Sequence, residues 1–258
     1  MTLSAFNSAV LSIGSTMQHA LRQAGDLVYP PVCLSCSVRT GSHGGMCADC
    51  WSRLRPVEKP WCDVLGTPFS FDLGEAILSA EAIADPPPFS KARSAVLYDD
   101  LAKAMVHRLK YKDRTDLAMT MARWMARAGS ELLSETQAIV PVPLHRRRLV
   151  TRHYNQSAEL SRALARHAGL PHLPASLFRR KATRQQVGLG ARARIENVNG
   201  AFVVPENKCA GIEGKVILLI DDVYTTGATV KSASKALLKA GAGDVLVLTF
   251  ARVVPAGL

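Results

Sequence analysis

Short apolar runs alternate with amphipathic stretches along the chain from about residue 90 onward. The runs rich in Val and Ile predict strands, at residues 94–98, 138–142, 201–204, 215–220 and 244–250. The stretches with apolar residues three and four apart predict helices, at residues 99–111, 116–133, 155–167 and 229–240. Two buried strands joined through a helix form a βαβ unit, so this region is expected to be an α/β domain with a parallel sheet flanked by helices.

The first 89 residues lack this alternation. Within residues 1–28, apolar side chains three and four apart predict an amphipathic helix that either packs inside the protein or docks on a membrane surface or a partner. Residues 29–70 are loop-rich and hold five of the six cysteines. Residues 71–89 contain three consecutive prolines and are interpreted as a linker to a domain spanning residues 90–258.

Length and composition set the class of protein. A chain of 258 residues, 48% of them hydrophobic, can bury the core of one main domain and carry a small appendage. No uncharged apolar run reaches the ~18 residues that span a membrane, and we expect no stable membrane insertion. The N-terminus does not have the pattern of a signal peptide, so the expected location is the cytoplasm.

The net charge of +11 is concentrated in one region of the sequence. Between residues 146 and 194 there are twelve Arg and Lys residues and a single acid, Glu159, whereas the rest of the chain has 20 basic and 20 acidic residues. Such a local excess points to a polyanionic partner, with a solvated basic surface as the alternative.

Four cysteines form two closely spaced pairs. Cys33 and Cys36 are followed, after ten residues, by Cys47 and Cys50. Each C-x-x-C turn places two thiolates on one side, and two such turns complete a tetrahedral zinc site, so we predict structural Zn²⁺. A redox C-x-x-C motif and an iron–sulfur cluster are the alternatives. The sixth cysteine, Cys209, and Cys62 are expected to be packed thiols.

A pair of acids follows the buried strand at residues 215–220. Asp221 and Asp222 are placed at its carboxyl end, where ligands bind in open α/β sheets. Residues 225–229, Thr-Thr-Gly-Ala-Thr, then begin a helix whose free N–H groups can bind phosphate. Vicinal ribose hydroxyls can donate to the two carboxylates, so the spacing predicts a ribose 5-phosphate site. The alternative is that the acids merely cap the helix.

Residues 217–230 resemble the phosphoribosyl pyrophosphate (PRPP) signature of type I phosphoribosyltransferases, in which four apolar residues and two acids precede Thr-Gly-small-Thr and an apolar residue. This resemblance implies the type I phosphoribosyltransferase fold, with Asp221 and Asp222 as the catalytic acids. It also implies PRPP binding by Asp221, Asp222, Val223, Tyr224, Thr225, Thr226, Gly227, Ala228 and Thr229.

The whole chain resembles the ComF family, also called ComFC or GntX-like proteins, in which an N-terminal zinc ribbon precedes a phosphoribosyltransferase domain. Further segments that carry the resemblance lie at residues 109–112, 140–156, 179–186 and 192–202. Many members have a second cysteine pair after the first ribbon. Here Cys62 stands without its partner, because Leu65 occupies the second position, and a second zinc is not expected.

The resemblance also assigns the pyrophosphate side of the site. The turn after the strand at residues 138–142 is expected to receive pyrophosphate together with Mg²⁺, through Pro141, Val142, Pro143, Arg146, Arg147 and Arg152. A loop over residues 179–194 is expected to act as a lid, with Arg180, Arg184, Gln185 and Gln186. The alternatives are a solvated basic loop and an exposed linker. No general base can be assigned among His107, His145 and His153.

Two functions follow from these expectations. The first is a phosphoribosyltransferase that uses PRPP and an unidentified acceptor. The second is a protein of natural competence and DNA uptake that handles single-stranded DNA, alone or with a DNA-uptake helicase or processing protein, and only binds PRPP. A zinc-ribbon adaptor is disfavoured by the intact PRPP signature. Glutamine-dependent amidophosphoribosyl transfer is not supported, because no N-terminal cysteine nucleophile is present.

Overall fold

The structure is a computed structural model that describes residues 26, 29–72, 74, 77–111, 115–144, 155–180, 198 and 200–254. The chain divides into two compact units, Met1–Ser52 and Arg53–Leu258. In the described part of the first unit, an isolated bridge pairs Val32 with Arg39, and helix α1 spans Ala48–Ser52. Its buried apolar residues are few: Cys33, Leu34 and Cys50.

The second unit contains a short two-stranded sheet, a larger sheet and the helices around them. Its helices are α2 (Ala80–Ala84), α3 (Asp100–Tyr111), α4 (Thr115–Ala128), α5 (Ser130–Glu135), α6 (Gln156–Ala168), α7 (Glu206–Cys209) and α8 (Ala228–Lys239). Its strands are β1 (Lys91–Leu97), β2 (Ala138–Pro141), β3 (Phe178–Arg179), β4 (Phe202–Val203), β5 (Val216–Tyr224) and β6 (Asp244–Arg252).

The larger sheet has the strand order β1-β6-β5-β2, and every neighbouring pair is parallel. Strands β3 and β4 form the separate antiparallel pair. The parallel sheet with its helices, together with the N-terminal four-cysteine module, confirms the predicted fold class. A parallel sheet aligns the carboxyl ends of its strands along one edge, and this alignment positions the candidate site.

Helices cover both faces of the parallel sheet, as the continuous apolar strands require. On one face Ile217 and Leu219 of β5 share a core with Val230 and Leu237 of α8. On the other face α4 packs against β6, where Trp124 stacks on Phe250 with ring centroids 6.2 Å apart.

The predicted helix at residues 116–133 is two helices, α4 and α5, because the chain breaks at Gly129. A Cβ on Gly129 would lie 2.8 Å from a methyl group of Leu248, so the sheet packs directly against the backbone at this point. The strand predicted at residues 215–220 also ends too early. Strand β5 continues through Asp221 and Asp222 to Tyr224, so the two acids lie near the end of the strand and not after it.

The segment interpreted as a linker, residues 71–89, contains helix α2, which Ser79 caps by accepting from the Ala82 N–H at 3.3 Å. Phe89 at its end is 3% exposed and belongs to the main core. The predicted amphipathic helix before residue 25 lies outside the described residues. Within the described part of the chain, no helix combines the length and the apolar character needed to cross a membrane.

Candidate functional site

The site begins where strands β2 and β5 end side by side. Pro141 is paired with Ile220, and the Val142 N–H continues the ladder by donating to the Ile220 carbonyl at 2.9 Å. This pairing brings the turn at residues 141–143 next to Asp221. Two segments that are far apart in the sequence therefore share one edge of the sheet, as the parallel topology requires.

The two acids have different environments. Asp221 is 9% exposed, and its Oδ1 accepts from the Ser157 hydroxyl at 2.9 Å and from the Asp222 N–H at 2.9 Å. Asp222 is half-buried. Charged acceptors form strong hydrogen bonds, so Asp221 has a defined orientation, whereas Asp222 is the more accessible carboxylate.

The start of α6 joins the two strand ends. Asn155 caps this helix by accepting from the Ser157 N–H at 3.2 Å, and its Nδ2 donates to the Val142 carbonyl at 2.9 Å. Asn155 thus starts helix α6 and links it to the turn after β2. Gln156 is 3% exposed, and its Nε2 has no hydrogen-bond partner among the described residues.

Helix α8 begins immediately after Gly227, whose φ of 69° is in the left-handed region. A Cβ at this position would lie 2.4 Å from the Tyr224 hydroxyl oxygen, so both the turn and the packing require glycine. Thr225 and Thr226 are half-buried, and Thr226 Oγ1 has no partner among the described residues. Backbone N–H groups and threonine hydroxyls at the start of a helix are groups that can bind phosphate.

Tyr224 forms the floor beneath this turn. It is 3% exposed, and the guanidinium of Arg252 lies 5.0 Å from its ring centroid. Burial raises the pKa of Tyr224 above its ordinary value, so the phenol is a neutral hydrogen-bond donor. Burial also lowers the pKa of Arg252, to about 10, which leaves the guanidinium cationic at neutral pH.

A cleft of about 630 Å³ opens beside the turn at residues 225–227. Its walls come from the turn, from one side of α8 and from α2 with the residue after it. Lys231 Nζ forms a salt bridge with Asp85 Oδ2 at 2.7 Å. The residues lining it include Thr225, Thr226, Ala228, Lys235, Glu81 and Arg252.

Most of the basic and polar residues predicted to complete the site are not among the residues that the structure describes. Arg146, Arg147, Arg152, Arg184, Gln185 and Gln186 lie outside the described residues. Arg180 is described, is exposed and donates from Nε to the Gly200 carbonyl at 3.2 Å. It stands at the end of β3, so the predicted lid begins at a two-stranded ribbon.

The four paired cysteines come together as the spacing predicts. The sulfur atoms of Cys33, Cys36, Cys47 and Cys50 all lie within 4.8 Å of one another. Four thiolates at this separation suit the donor preference and tetrahedral geometry of zinc. Cys33 and Cys50 are buried, whereas Cys47 is half-buried and Cys36 is exposed. The site therefore fits a structural metal that holds the turns together.

Two of the four thiols, Cys33 and Cys50, have shifted pKa values. Burial by itself raises the pKa of Cys33, but surrounding N–H groups outweigh that effect and lower it to about 6, from 9.0. For Cys50, burial raises the pKa to about 12. Metal ligation requires the thiolate form of all four cysteines.

Two contributors were missed in the sequence. Ser157 carries no signal that distinguishes it from other helix-start serines, and its bond to Asp221 spans 64 positions. Arg252 lies at the end of β6, and nothing in the local pattern points to Tyr224. Both depend on contacts between distant segments.

Comparisons with known proteins extend this description. Residues 24–82 match the family model described as Double zinc ribbon domain. The chain is 31% identical over 235 residues to DNA utilization protein YhgH of Salmonella typhimurium, covering 88% of this chain and 100% of the relative. It is 29% identical over 216 residues to Competence protein F of Haemophilus influenzae, covering 82% and 92% of the two chains.

Among solved structures, the orotate phosphoribosyltransferase from Aeropyrum pernix is similar, with 14% identity and a TM-score of 0.32. The similarity covers 62% of this chain and 80% of that chain.

Proposed function

The chain belongs to the ComF family, and from that premise we propose that it binds PRPP with Mg²⁺ and transfers the phosphoribosyl group to an acceptor not yet identified. One observation carries the proposal. A buried parallel strand carries two acids, Asp221 and Asp222, near its end at Tyr224, and the turn that follows leads into a helix after Gly227. This combination offers acceptors for ribose hydroxyls and donors for a 5-phosphate within one continuous segment.

Each part of PRPP has a matching part of the site. The 5-phosphate would be held by the backbone N–H groups and hydroxyls of residues 225–229. The ribose hydroxyls would donate to Asp221 and Asp222, of which Asp221 is oriented by Ser157. The pyrophosphate would lie at the turn of residues 141–143, beside Asp221, with Arg146, Arg147 and Arg152 nearby in sequence.

The chain's own residues would serve the reaction through orientation and charge. Displacement of pyrophosphate develops positive charge on the ribose ring, and the carboxylates of Asp221 and Asp222 stabilise it. Mg²⁺ bound to the pyrophosphate would ease its departure. A lid over residues 179–194 would exclude water that otherwise hydrolyses PRPP.

The zinc site has a separate role in this proposal. A four-thiolate set leaves no open coordination position, so the metal would be structural, and it would supply much of the folding energy of a module with only a few buried residues.

A second function is favoured by the relatives' names and by the local charge. The relatives are called a DNA utilization protein and a competence protein. Residues 146–194 carry a net charge of +11, which suits the phosphates of single-stranded DNA. In that function PRPP would be a bound ligand rather than a substrate, and the partners would be DNA and the machinery that takes it up.

Calorimetric titration of PRPP with Mg²⁺ tests the site. The variant Asp221→Ala/Asp222→Ala removes acceptors that contribute about 1.5–3 kcal/mol each, so its affinity should fall at least ~100-fold. The matched control is Glu206→Ala, which removes an exposed acid on α7 and should bind as the wild type does. Equal affinity in the wild type and the double variant would reject the proposed site.

Turnover separates the two functions. Release of pyrophosphate in the presence of an acceptor base supports the transferase. Absence of release with every acceptor tested, together with an affinity for single-stranded oligonucleotide that falls steeply with salt, supports the DNA-handling function.

A further inference from the structure

The turn at Cys62 repeats the turn at Cys33. The Cys33 N–H donates to the carbonyl of Val38 at 2.7 Å, and the Cys62 N–H donates to the carbonyl of Thr67 at 2.8 Å. In both cases the partner lies five residues along the chain. The flanking bridges also correspond, because each joins the residue before the cysteine to the residue after that partner.

The same two turns close in the same backbone conformation. The Ser37 N–H donates to the Cys33 carbonyl at 3.1 Å, and the Gly66 N–H donates to the Cys62 carbonyl at 2.7 Å. Ser37 and Gly66 both have a φ of 64°, in the left-handed region. A non-glycine residue is uncommon there, so the agreement reflects a shared turn rather than a generic one.

The second arm of each turn corresponds as well. The Leu34 N–H donates to the Gly45 carbonyl at 3.1 Å, and the Asp63 N–H donates to the Ile77 carbonyl at 3.0 Å. Each donor is the residue after the cysteine. Each acceptor lies three residues before the first residue of a short helix, which is α1 in the first case and α2 in the second.

The helices start with matching contacts to a side chain. The Cys50 N–H lies 3.4 Å from the sulfur of Cys47, and the Ala82 N–H lies 3.3 Å from the hydroxyl oxygen of Ser79. The two segments are therefore the two halves of a double ribbon. The four ligand positions of the first half, Cys33, Cys36, Cys47 and Cys50, correspond to Cys62, Leu65, Ser79 and Ala82 in the second.

The matched positions of the second half do not suit a metal ion. A double zinc ribbon implies a second tetrahedral site, which needs four thiolate or imidazole donors. Leu65 and Ala82 offer no donor atom and are 0% and 5% exposed. The hydroxyl of Ser79 caps α2, and the sulfur of Cys62 accepts the Ser79 N–H at 3.2 Å.

The interior that replaces the ion is apolar. Cys62, Leu65 and Ala82 all belong to the core that extends beneath the parallel sheet. The first half has few buried apolar residues, whereas the second half shares the main core. Burial of apolar side chains is the main favourable contribution to folding, so packing can hold this half without a metal.

The second half also supports the phosphate-binding turn. Nη1 of Arg252 donates to the Leu65 carbonyl at 2.6 Å, and Nη2 donates to the Thr67 hydroxyl at 2.9 Å. Arg252 is 2% exposed and lies under the ring of Tyr224. A buried guanidinium needs such acceptors, and the Cys62 turn provides them. Tyr224 in turn contacts Gly227, where α8 begins.

We propose that residues 57–84 form a metal-free second ribbon, in which an apolar interior takes the place of the ion, and that this half positions the phosphate-binding turn through Arg252. Arg252 is a positioning residue in this arrangement, since it acts through Tyr224 and not on a ligand. The geometry of the turn is then independent of zinc.

Metal analysis of the purified full chain tests the first part. The wild type and Cys62→Ala should each hold one zinc per chain, whereas Cys36→Ala should hold less than one. Leu65→Cys/Ser79→Cys/Ala82→Cys restores four thiols at the matched positions and should raise the content to two. A wild-type content near two, or a loss of metal in Cys62→Ala, would overturn the metal-free assignment. A folded triple variant that stays at one zinc would overturn the residue correspondence.

Hydrogen–deuterium exchange tests the second part without any ligand, so its outcome is independent of PRPP binding. Arg252→Gln should increase the exchange rate of the amides at residues 224–227 about 10-fold, with residues 216–220 unchanged. Thr67→Val removes one acceptor and should give a smaller increase in a variant that keeps its core. Arg162→Gln, an exposed arginine on α6, is the matched control. Unchanged exchange at residues 224–227 in both variants would overturn the positioning role.

Discussion

The four-cysteine module and the segment at residues 221–229 both carry their functional groups close together in sequence, yet different forces hold those groups in place. In the module, four sulfur atoms lie within 4.8 Å, and only Cys33, Leu34 and Cys50 are buried apolar residues in the described part of that unit. The 221–229 segment begins on a strand whose residues 217–220 are all fully buried. We therefore expect the module to need its zinc ion in order to fold, whereas the 221–229 segment should be folded before PRPP binds.

Metal removal should give the largest difference between these regions. A structural zinc contributes an apparent ~10–16 kcal/mol to small zinc modules at pH 7, far more than three buried residues can. Chelation of the full chain should therefore abolish exchange protection at residues 29–52. The amides of β5 and β6 should keep theirs, because their stability comes from the sheet core.

Hydrogen–deuterium exchange with and without a chelator checks this prediction peptide by peptide. Mock treatment with the zinc-saturated chelator is the control. Loss of protection in β5 along with residues 29–52 would show that the comparison is wrong and that the two regions fold together.

Gly227→Ala should have the next largest effect. The left-handed backbone conformation costs an alanine about 1–2 kcal/mol. The new Cβ would also lie 2.4 Å from the Tyr224 hydroxyl oxygen, so the tyrosine would have to move. We expect the melting temperature to fall by roughly 5–10 °C, and PRPP affinity to fall about 10-fold because the phosphate-binding turn is displaced.

Gly169→Ala is a close control for this variant. Gly169 has a φ of 67°, and nothing lies within 4 Å of its added Cβ. It therefore reports the cost of the backbone conformation alone, and the difference between the two variants measures the contact with Tyr224. Identical losses of stability and unchanged PRPP binding in both would remove Tyr224 from the account of the turn.

Ser157→Ala should have the smallest effect. It removes the hydrogen bond to Asp221 but leaves the Asp222 N–H on the same oxygen. A hydrogen bond to a charged group contributes about 1.5–3 kcal/mol, part of which water can replace at this edge, so PRPP affinity should fall about 3- to 10-fold.

Titration calorimetry measures this change, with Ser134→Ala on α5 as the control for loss of a helical serine whose hydroxyl donates to a carbonyl. An affinity equal to that of the wild type would mean that Asp221 is oriented by the backbone alone. It would then strengthen the contrast between a preformed loop and a metal-dependent module.

Much of the fold was predictable from local pattern. The Val- and Ile-rich runs located the four strands of the larger sheet, since burial on both faces leaves a continuous apolar signature. Boundaries were less accurate where packing decided them. Helix α4 ends just before Gly129, where Leu248 leaves no space for a Cβ atom. A glycine inside a helical pattern does not reveal which residue packs against it.

The candidate site divides in the same way. Asp221, Asp222 and the turn before α8 were visible because six chemically informative residues lie within nine positions. Ser157 and Arg252 were not, since they reach this segment through contacts between distant parts of the chain. The resemblance to the ComF family supplied the expectation that the turn after β2 belongs to the site, and the register of β2 with β5 showed the adjacency.

The sequence by itself determined which chemistry is available: four thiols at zinc-ligand spacing, two acids before a helix start and a basic stretch of +11. These depend on residue type and short spacing, which a linear chain displays directly. Only the tertiary structure decided that Ser79 and Ala82 match the other two ligand positions of the second ribbon, and that Arg252 joins the Cys62 turn to Tyr224. The physical reason is that hydrogen bonds and packing between distant segments depend on the complete fold, and no local pattern encodes them.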